Sequence, residues 1–254
     1  MAERRRGQLY GRRKGPALSA HQSGLLETLL PKLSLNIEAG RDPRAYFDAP
    51  MSDVWLEIGF GGGEHLHWQA EHNPNVGMIG AEPFVNGVAK LLSKLSLSPI
   101  GGEGRGEGVV KTSVVPTAPS PLPSPPQRER GNLKIHMGDA RDVIEALPDA
   151  SLGRVFILFP DPWPKTRHHK RRFIQTAMLD SLARVMKPGA ELRFASDDAP
   201  YLDWTLERLM AHPAFEWTAT RAQDWKTRTD DWPQTRYEAK QLHGVPSFLR
   251  FKRV

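Results

Sequence analysis

Apolar residues follow two alternating rhythms along this chain. Short apolar-rich runs recur at 54–59, 77–81, 133–136, 154–159 and 191–195. After each comes a longer stretch with apolar residues three or four positions apart. The first rhythm predicts strands and the second helices. Expected helices span 64–72, 84–95, 140–147, 170–186 and 201–210. In 84–95, Val85, Val88, Leu91, Leu92 and Leu95 share one side. In 170–186, Phe173, Ile174, Ala177, Leu182 and Val185 do so, and Lys187-Pro188-Gly189 ends the helix. Two more strand candidates, 216–220 and 248–252, close the chain. Near the start, Ser19-Ala20-His21-Gln22 has the pattern of a capping box. Leu25, Leu26, Leu29 and Leu30 follow at helical spacing until Pro31 stops or bends the helix. Residues 34–52 read as loop with an extended segment. Strands alternating with helices predict an α/β fold: a doubly wound, Rossmann-like parallel sheet of about seven strands with helices on both faces.

One segment breaks the rhythm. Residues 97–131 hold 7 prolines and 6 glycines in 35 positions. Such a stretch cannot bury enough apolar surface to offset its ordering entropy. It lies between a helix and a strand, where a connection normally takes about 2–6 residues. It therefore reads as a disordered surface insertion, with a proline-rich ligand for a partner as the functional alternative. The expected organisation is a flexible basic arm at 1–18 and one domain at 19–254, interrupted by this insertion.

Composition narrows the classes. The chain has 254 residues and no cysteine. That excludes disulfides, thiolate metal sites, iron–sulfur clusters and a cysteine nucleophile. The longest apolar run, 155–159, is too short to span a bilayer. The basic N-terminus has no apolar stretch behind it, so a secretory signal is not expected. A cytoplasmic location follows as the expectation. The adjacent His168 and His169 make a poor metal pair, and no metal site is expected.

Charge changes the picture more. The net +6 is concentrated in two places. Arg4, Arg5, Arg6, Arg12, Arg13 and Lys14 stand against Glu3 alone. Lys165, Arg167, Lys170, Arg171 and Arg172 stand against Asp161. The remainder of the chain is net negative. Two basic clusters on a near-neutral body point to a polyanionic partner, while a solvated tail and a charged helix start are the plainer account. Read as a helix start, 170–172 would oppose the helix dipole, which a phosphate backbone lying there would explain.

The chemistry concentrates at two turns. Glu57-Ile58-Gly59-Phe60-Gly61-Gly62-Gly63-Glu64 follows the first strand. Its glycines allow a sharp turn and close approach of a ligand to main-chain N–H groups. A nicotinamide dinucleotide fingerprint would want glycine where Glu64 stands. S-adenosylmethionine carries a sulfonium and an ammonium, so carboxylates favour it. Glu57, Glu82, Asp139 and Asp161 fall at four successive strand ends, where a loop acid or helix cap is the bland account of any single one. The second turn, Phe159-Pro160-Asp161-Pro162-Trp163-Pro164-Lys165, carries a carboxylate, an indole and an ammonium on a backbone stiffened by prolines.

Glu57-Ile58-Gly59-Phe60-Gly61, Phe159-Pro160-Asp161-Pro162-Trp163, the basic run at Lys165 and 167–172, Ala195-Ser196-Asp197 and Thr235-Arg236-Tyr237-Glu238 together resemble the bacterial tRNA (guanine-N7)-methyltransferase family. The resemblance covers 4–96 and 132–254, and the 97–131 insertion departs from the family pattern. It implies a class I methyltransferase fold and methylation of a guanine in the tRNA variable loop, at the position conventionally numbered 46. By motif it implies a cofactor site of Glu57, Gly59, Gly61, Glu82, Asp139 and Asp161. Asp139 is the loosest match, resting on its Gly-Asp-Ala context. Lys165, Asp197, Thr235, Arg236, Tyr237 and Glu238 would bind substrate. Arg167, His168, His169, Lys170, Arg171 and Arg172 would touch RNA.

Guanine N7 already exposes a lone pair, so attack needs no prior deprotonation and no protein nucleophile. Catalysis would then rest on in-line positioning. Asp161 or Asp197 would stabilise positive charge building on the purine. Lys165 would hold a phosphate or the base edge, and Trp163 would stack on the base or wall the cofactor. The alternatives are a class I methyltransferase acting on another RNA or a small amine, and a non-catalytic RNA-binding protein on the same fold. A nicotinamide oxidoreductase ranks below both. Monomer and homodimer are equally compatible with the sequence.

Overall fold

A computed structural model describes residues 11, 13–97, 131–240 and 244–254. In chain order the elements are α1 (Ala20–Thr28), α2 (Leu30–Leu33), β1 (Asp53–Ile58), α3 (Glu64–His72), β2 (Val76–Ala81), α4 (Val85–Leu97), β3 (Leu133–His136) and α5 (Ala140–Ala146). They continue as β4 (Leu152–Leu158), α6 (Thr176–Val185), β5 (Met186–Ser196), α7 (Ala199–Ala211), β6 (Phe215–Trp217), α8 (Gln223–Lys226), α9 (Arg236–Lys240) and β7 (Ser247–Arg253).

The strands form one sheet in the order β3-β2-β1-β4-β5-β7-β6. The first five run parallel, and β7 inserts antiparallel between β5 and β6. The sheet is thus mixed at one edge, beyond the parallel part that the strand–helix alternation implied. Chain order reverses between β1 and β4, which makes the crevice at their carboxyl ends the switch point. Side-chain alternation sorts the core into two layers. Val54, Leu56, Val155, Ile157, Leu192 and Phe194 face α5, α6 and α7. Met78, Phe156, Leu158, Ala195 and Phe248 face α3 and α4. Among the described residues, no helix is long and apolar enough to cross a membrane.

The capping box forms as patterned: Gln22 N–H donates to Ser19 Oγ, and Ser19 N–H donates to Gln22 Oε1. The leucine helix breaks at Leu29, and α2 begins at the next residue and takes Pro31 into its first turn. The final part of the arm is held against α4. Val85 N–H donates to the Arg13 carbonyl, Gly15 N–H to Asn86 Oδ1 and Asn86 Nδ2 to the Pro16 carbonyl. The expected insertion lies outside the described residues except for its two borders, Leu97 and Gly131.

The expected helix over 170–186 is corrected. Its helical part starts at Thr176, and the basic run occupies a separate 3-10 turn, Thr166–Arg171. Tertiary hydrogen bonds divert the backbone between them. The Tyr201 hydroxyl oxygen accepts from Phe173 N–H and Ile174 N–H, and Gln175 Nε2 donates to the carbonyls of His169 and Arg172. The dipole argument for 170–172 falls with that helix start. Lys187-Pro188-Gly189 lies inside β5, with Gly189 at φ 83° beside a register shift against β4.

Candidate active site

The turn after β1 is built from backbone. Gly59, Gly61 and Gly63 all take left-handed conformations, with φ of 71°, 54° and 70°. This is the region that glycine enters without steric cost. Gly59 N–H donates to the Ala81 carbonyl and Gly63 N–H to the Phe60 carbonyl. Lys94 Nζ reaches both the Gly62 carbonyl and Glu64, at 3.0 and 3.1 Å. At the start of α4, Gly87 packs so closely that a Cβ there would lie 2.4 Å from the Gly61 carbonyl oxygen.

Glu82 staples this turn to β2. It accepts from Gly61 N–H at 2.6 Å and from Phe84 N–H at 2.8 Å. Burial raises its carboxyl above the ordinary value, against the pull of those two bonds, and the charges of Asp161 and Glu57 push the same way. Glu57 is 2% exposed, and its Oε2 lies 2.7 Å from His65 Nδ1. Asp139 is the N-cap of α5: it accepts from Arg141 N–H and pairs with the Arg141 guanidinium at 2.9 Å. The cap account of this acid therefore holds, although it also lines the cavity.

The loop after β4 is held by side chains. Phe159 and Trp163 take φ of 51° and 46°, conformations that cost bulky residues energy and persist only where surroundings impose them. Phe159 N–H donates to the Ala195 carbonyl. Arg172 is 1% exposed, and its guanidinium donates to the carbonyls of Pro162 and Pro200 between the rings of Tyr201 and Trp204. This corrects the expectation that Arg172 contacts RNA. A buried guanidinium spent on two carbonyls is a structural clamp. Arg171 lies 4.9 Å from the Trp163 ring, and His168 meets the same indole edge-on at 6.0 Å. Desolvation, and then the charges of Arg171, Arg167, Lys165 and Lys170, hold His168 below its ordinary value.

Both turns open onto one cavity of about 670 Å³ at the switch point. That is within the ~300–1,000 Å³ of small-molecule sites. Its walls include Glu57, Gly59, Gly61, Glu82, Asp139 and Asp161. Arg171 and Thr235 line it too, so residues far apart in sequence meet there. Trp163 and Phe173 add apolar wall, and Gly11 of the arm lines the cavity so near Asp161 that a Cβ added to it would lie 3.4 Å from Asp161 Oδ2. Five carboxylates on the wall (Glu64 included) face two guanidiniums, Arg141 and Arg171. A polyphosphate is a poor match for that balance, and a cationic nucleoside a good one.

Other expected residues stand apart from this wall. Lys165, Arg167 and Lys170 are exposed on the 3-10 turn and just before it, and His168 and His169 are half-buried. Asp197 follows β5 and is half-buried. In the Thr235–Glu238 stretch, Arg236 is exposed. Glu238 is buried and paired with Arg228 at 2.7 Å, and its carboxyl is raised by burial in spite of that partner. Tyr237 falls in α9, and its side chain lies outside the described residues.

Sequence reasoning missed His65 and Gln69, which join Glu57 to the loop before Thr235. The available signal was two polar residues at i and i+4 on the buried face of a nine-residue helix.

A family model described as "Putative methyltransferase" matches residues 51–245. The tRNA (guanine-N(7)-)-methyltransferase of Rhodospirillum rubrum is 46% identical over 97% of this chain and 88% of its own length. The protein of the same name from Azorhizobium caulinodans is 42% identical over 98% and 96%. Among solved structures, the 16S rRNA (adenine(1408)-N(1))-methyltransferase of Catenulisporales acidiphilia superposes with a TM-score of 0.50 at 16% identity, over 86% of this chain and 99% of that one. At that identity the likeness speaks to fold alone, and the fold is the class I methyltransferase sheet.

Proposed function

This chain belongs to the tRNA (guanine-N(7)-)-methyltransferase family, and from that premise we propose that it transfers a methyl group from S-adenosylmethionine to N7 of the guanine conventionally numbered 46 in the tRNA variable loop. The observation that carries the reading is the shared cavity onto which an acidic glycine turn and a cationic proline loop both open.

When bound, S-adenosylmethionine supplies an electrophilic methyl group. Glu57 and Glu82 would hold its nucleoside and amino acid parts, with the glycine turn and Asp139 beside them. Glu82 uses one lone pair of each oxygen on the backbone and keeps the others for ribose hydroxyls. Asp161 stands at the mouth, on the loop that also carries Trp163 and Arg171. It faces positive charge developing on the purine, together with Asp197 from the end of β5. Lys165 and Thr235 orient the base and its phosphate, with Arg236, Tyr237 and Glu238 following Thr235 in the chain as further substrate contacts. Arg167, Lys170 and Arg171 take the RNA backbone, with His168 and His169 alongside. No residue needs to act as nucleophile, and rate comes from alignment and charge. The location consistent with this substrate is the cytoplasm.

The test is transfer of labelled methyl from S-adenosylmethionine to tRNA lacking 7-methylguanosine, followed by mapping of the labelled nucleotide. Label at guanine 46 is the expected result. Label at another nucleotide, or cofactor binding with no transfer, overturns the reading.

A further inference from the structure

From Glu57 and His65 on the cavity wall a buried hydrogen-bond chain runs away from the cavity, and its direction can be read. Gln69 is fully buried in α3, and one end of its amide lies 2.7 Å from the Asp231 carbonyl. A carbonyl can only accept, so that end is Nε2. Consistently, the amide oxygen of Gln69 accepts from Asn73 Nδ2 at 3.0 Å. The same Nε2 lies 3.2 Å from His65 Nε2, so this ring nitrogen must be the acceptor. The His65 proton therefore sits on Nδ1, where it is donated to Glu57 Oε2 at 2.7 Å. His65 is 1% exposed and lies edge-on to Phe156 at 4.6 Å, so its ring cannot turn over without repacking the core.

The other end of the chain is anchored as firmly. The Asp231 carboxylate accepts from Arg193 at 2.7 Å, Arg154 at 3.2 Å and the Thr229 hydroxyl at 2.6 Å. Trp232, 1% exposed, packs against Phe248. Three residues later the chain reaches Thr235, on the wall of the cavity.

We propose that His65 and Gln69 are positioning residues: they fix the Glu57 carboxylate at the cofactor side of the cavity and tie it to the loop that presents Thr235 on the substrate side. The proposal rests on the cofactor reading above. It goes beyond it by making the two sides of the cavity one mechanical unit, set by a single histidine tautomer.

Long-range proton–nitrogen correlation spectra of the ligand-free protein test the chain directly, and the expected signature for His65 is the Nδ1–H tautomer. An Nε2–H tautomer overturns the proposal even if every variant misfolds. Calorimetric titration of S-adenosylmethionine then compares variants of matched thermal stability. His65→Leu is expected to raise the cofactor Kd about tenfold, the scale of a missing hydrogen bond to a charged group. His65→Asn, which keeps a donor at the Nδ1 position, is expected to recover most of that loss. Gln69→Leu is expected to raise KM for tRNA several-fold more than it lowers kcat, a split that general loosening of the fold does not produce. An unchanged Kd in His65→Leu overturns the proposal. A wild-type protein that fails to bind S-adenosylmethionine overturns the functional reading instead, and leaves the tautomer to judge the relay.

Discussion

Two turns leave the same edge of the sheet and are held there by opposite means. The turn after β1 is stapled through the Gly61 N–H to Glu82, its glycines take left-handed backbone, and Gly63 and the neighbouring Gly87 leave no room for an added methyl group. The loop after β4 is clamped by Arg172 and decorated with cations at its surface. The first turn should tolerate changes of surface charge and fail when a methyl group is added. The second should tolerate added volume at its exposed positions and fail when its guanidinium is removed. One cavity thus combines a wall specified by shape with a mouth specified by charge.

The sharpest test falls where the two turns meet. Asp161→Asn keeps the volume and removes the charge, and kcat at saturating cofactor is expected to drop about 10²-fold, the scale of one electrostatic interaction made in the transition state. Asp197→Asn is the companion variant, and wild-type turnover in both would remove the carboxylates from the chemistry. Next in size, Arg172→Ala is expected to cost about 2–3 kcal/mol of stability in thermal unfolding, because it leaves carbonyls and ring faces unpartnered. Its salt dependence of tRNA binding should stay as in the wild type. A normal melting temperature with a flattened salt slope would return Arg172 to the RNA surface.

Gly87→Ala breaks the contrast from the other side. Pushing the Gly61 carbonyl away is expected to cost about 1–3 kcal/mol, read as weakened cofactor affinity at nearly unchanged tRNA affinity. The exposed pair Arg167→Ala and Lys170→Ala should leave melting unchanged and lower the salt slope of tRNA binding by about 0.7–0.9 for each phosphate no longer neutralised. The smallest effect concerns pH. Burial raises Glu82, so it takes up a proton at a higher pH than an ordinary carboxylate. Cofactor affinity is therefore full above that raised value and falls as pH drops through it. Calorimetry from pH 7 downward should show the fall, and affinity that stays flat until the ordinary carboxylate range would take Glu82 out of contact with the cationic ligand.

These contrasts bear on what could be read from residues alone. Helix 64–72 and strand 133–136 match their expected bounds, because their periodicities are clean and their ends are marked by Gly63, Asn73 and the Gly138-Asp139 turn. The glycine turn was legible for a related reason: glycine enters left-handed backbone without steric cost, so three of them in one turn mark it. The basic stretch misled. Phe173 and Ile174 fit a helical stripe, but Tyr201 and Gln175, the first far along the chain, take up the hydrogen bonds that a helix would need. Arg172 looked like its neighbours in a cationic run, and nothing local distinguishes a buried guanidinium from an exposed one.

By itself the sequence determined the alternation of strands and helices, the conformation of the glycine turn and the total charge of each segment, since these depend on residue type and near neighbours. Tertiary structure decided the rest. It placed β7 antiparallel between β5 and β6, separated Arg172 from Arg171, and joined His65 to Asp231 across 166 positions of chain. Such choices turn on which polar groups find partners once water is excluded, and that is settled only when distant segments pack together.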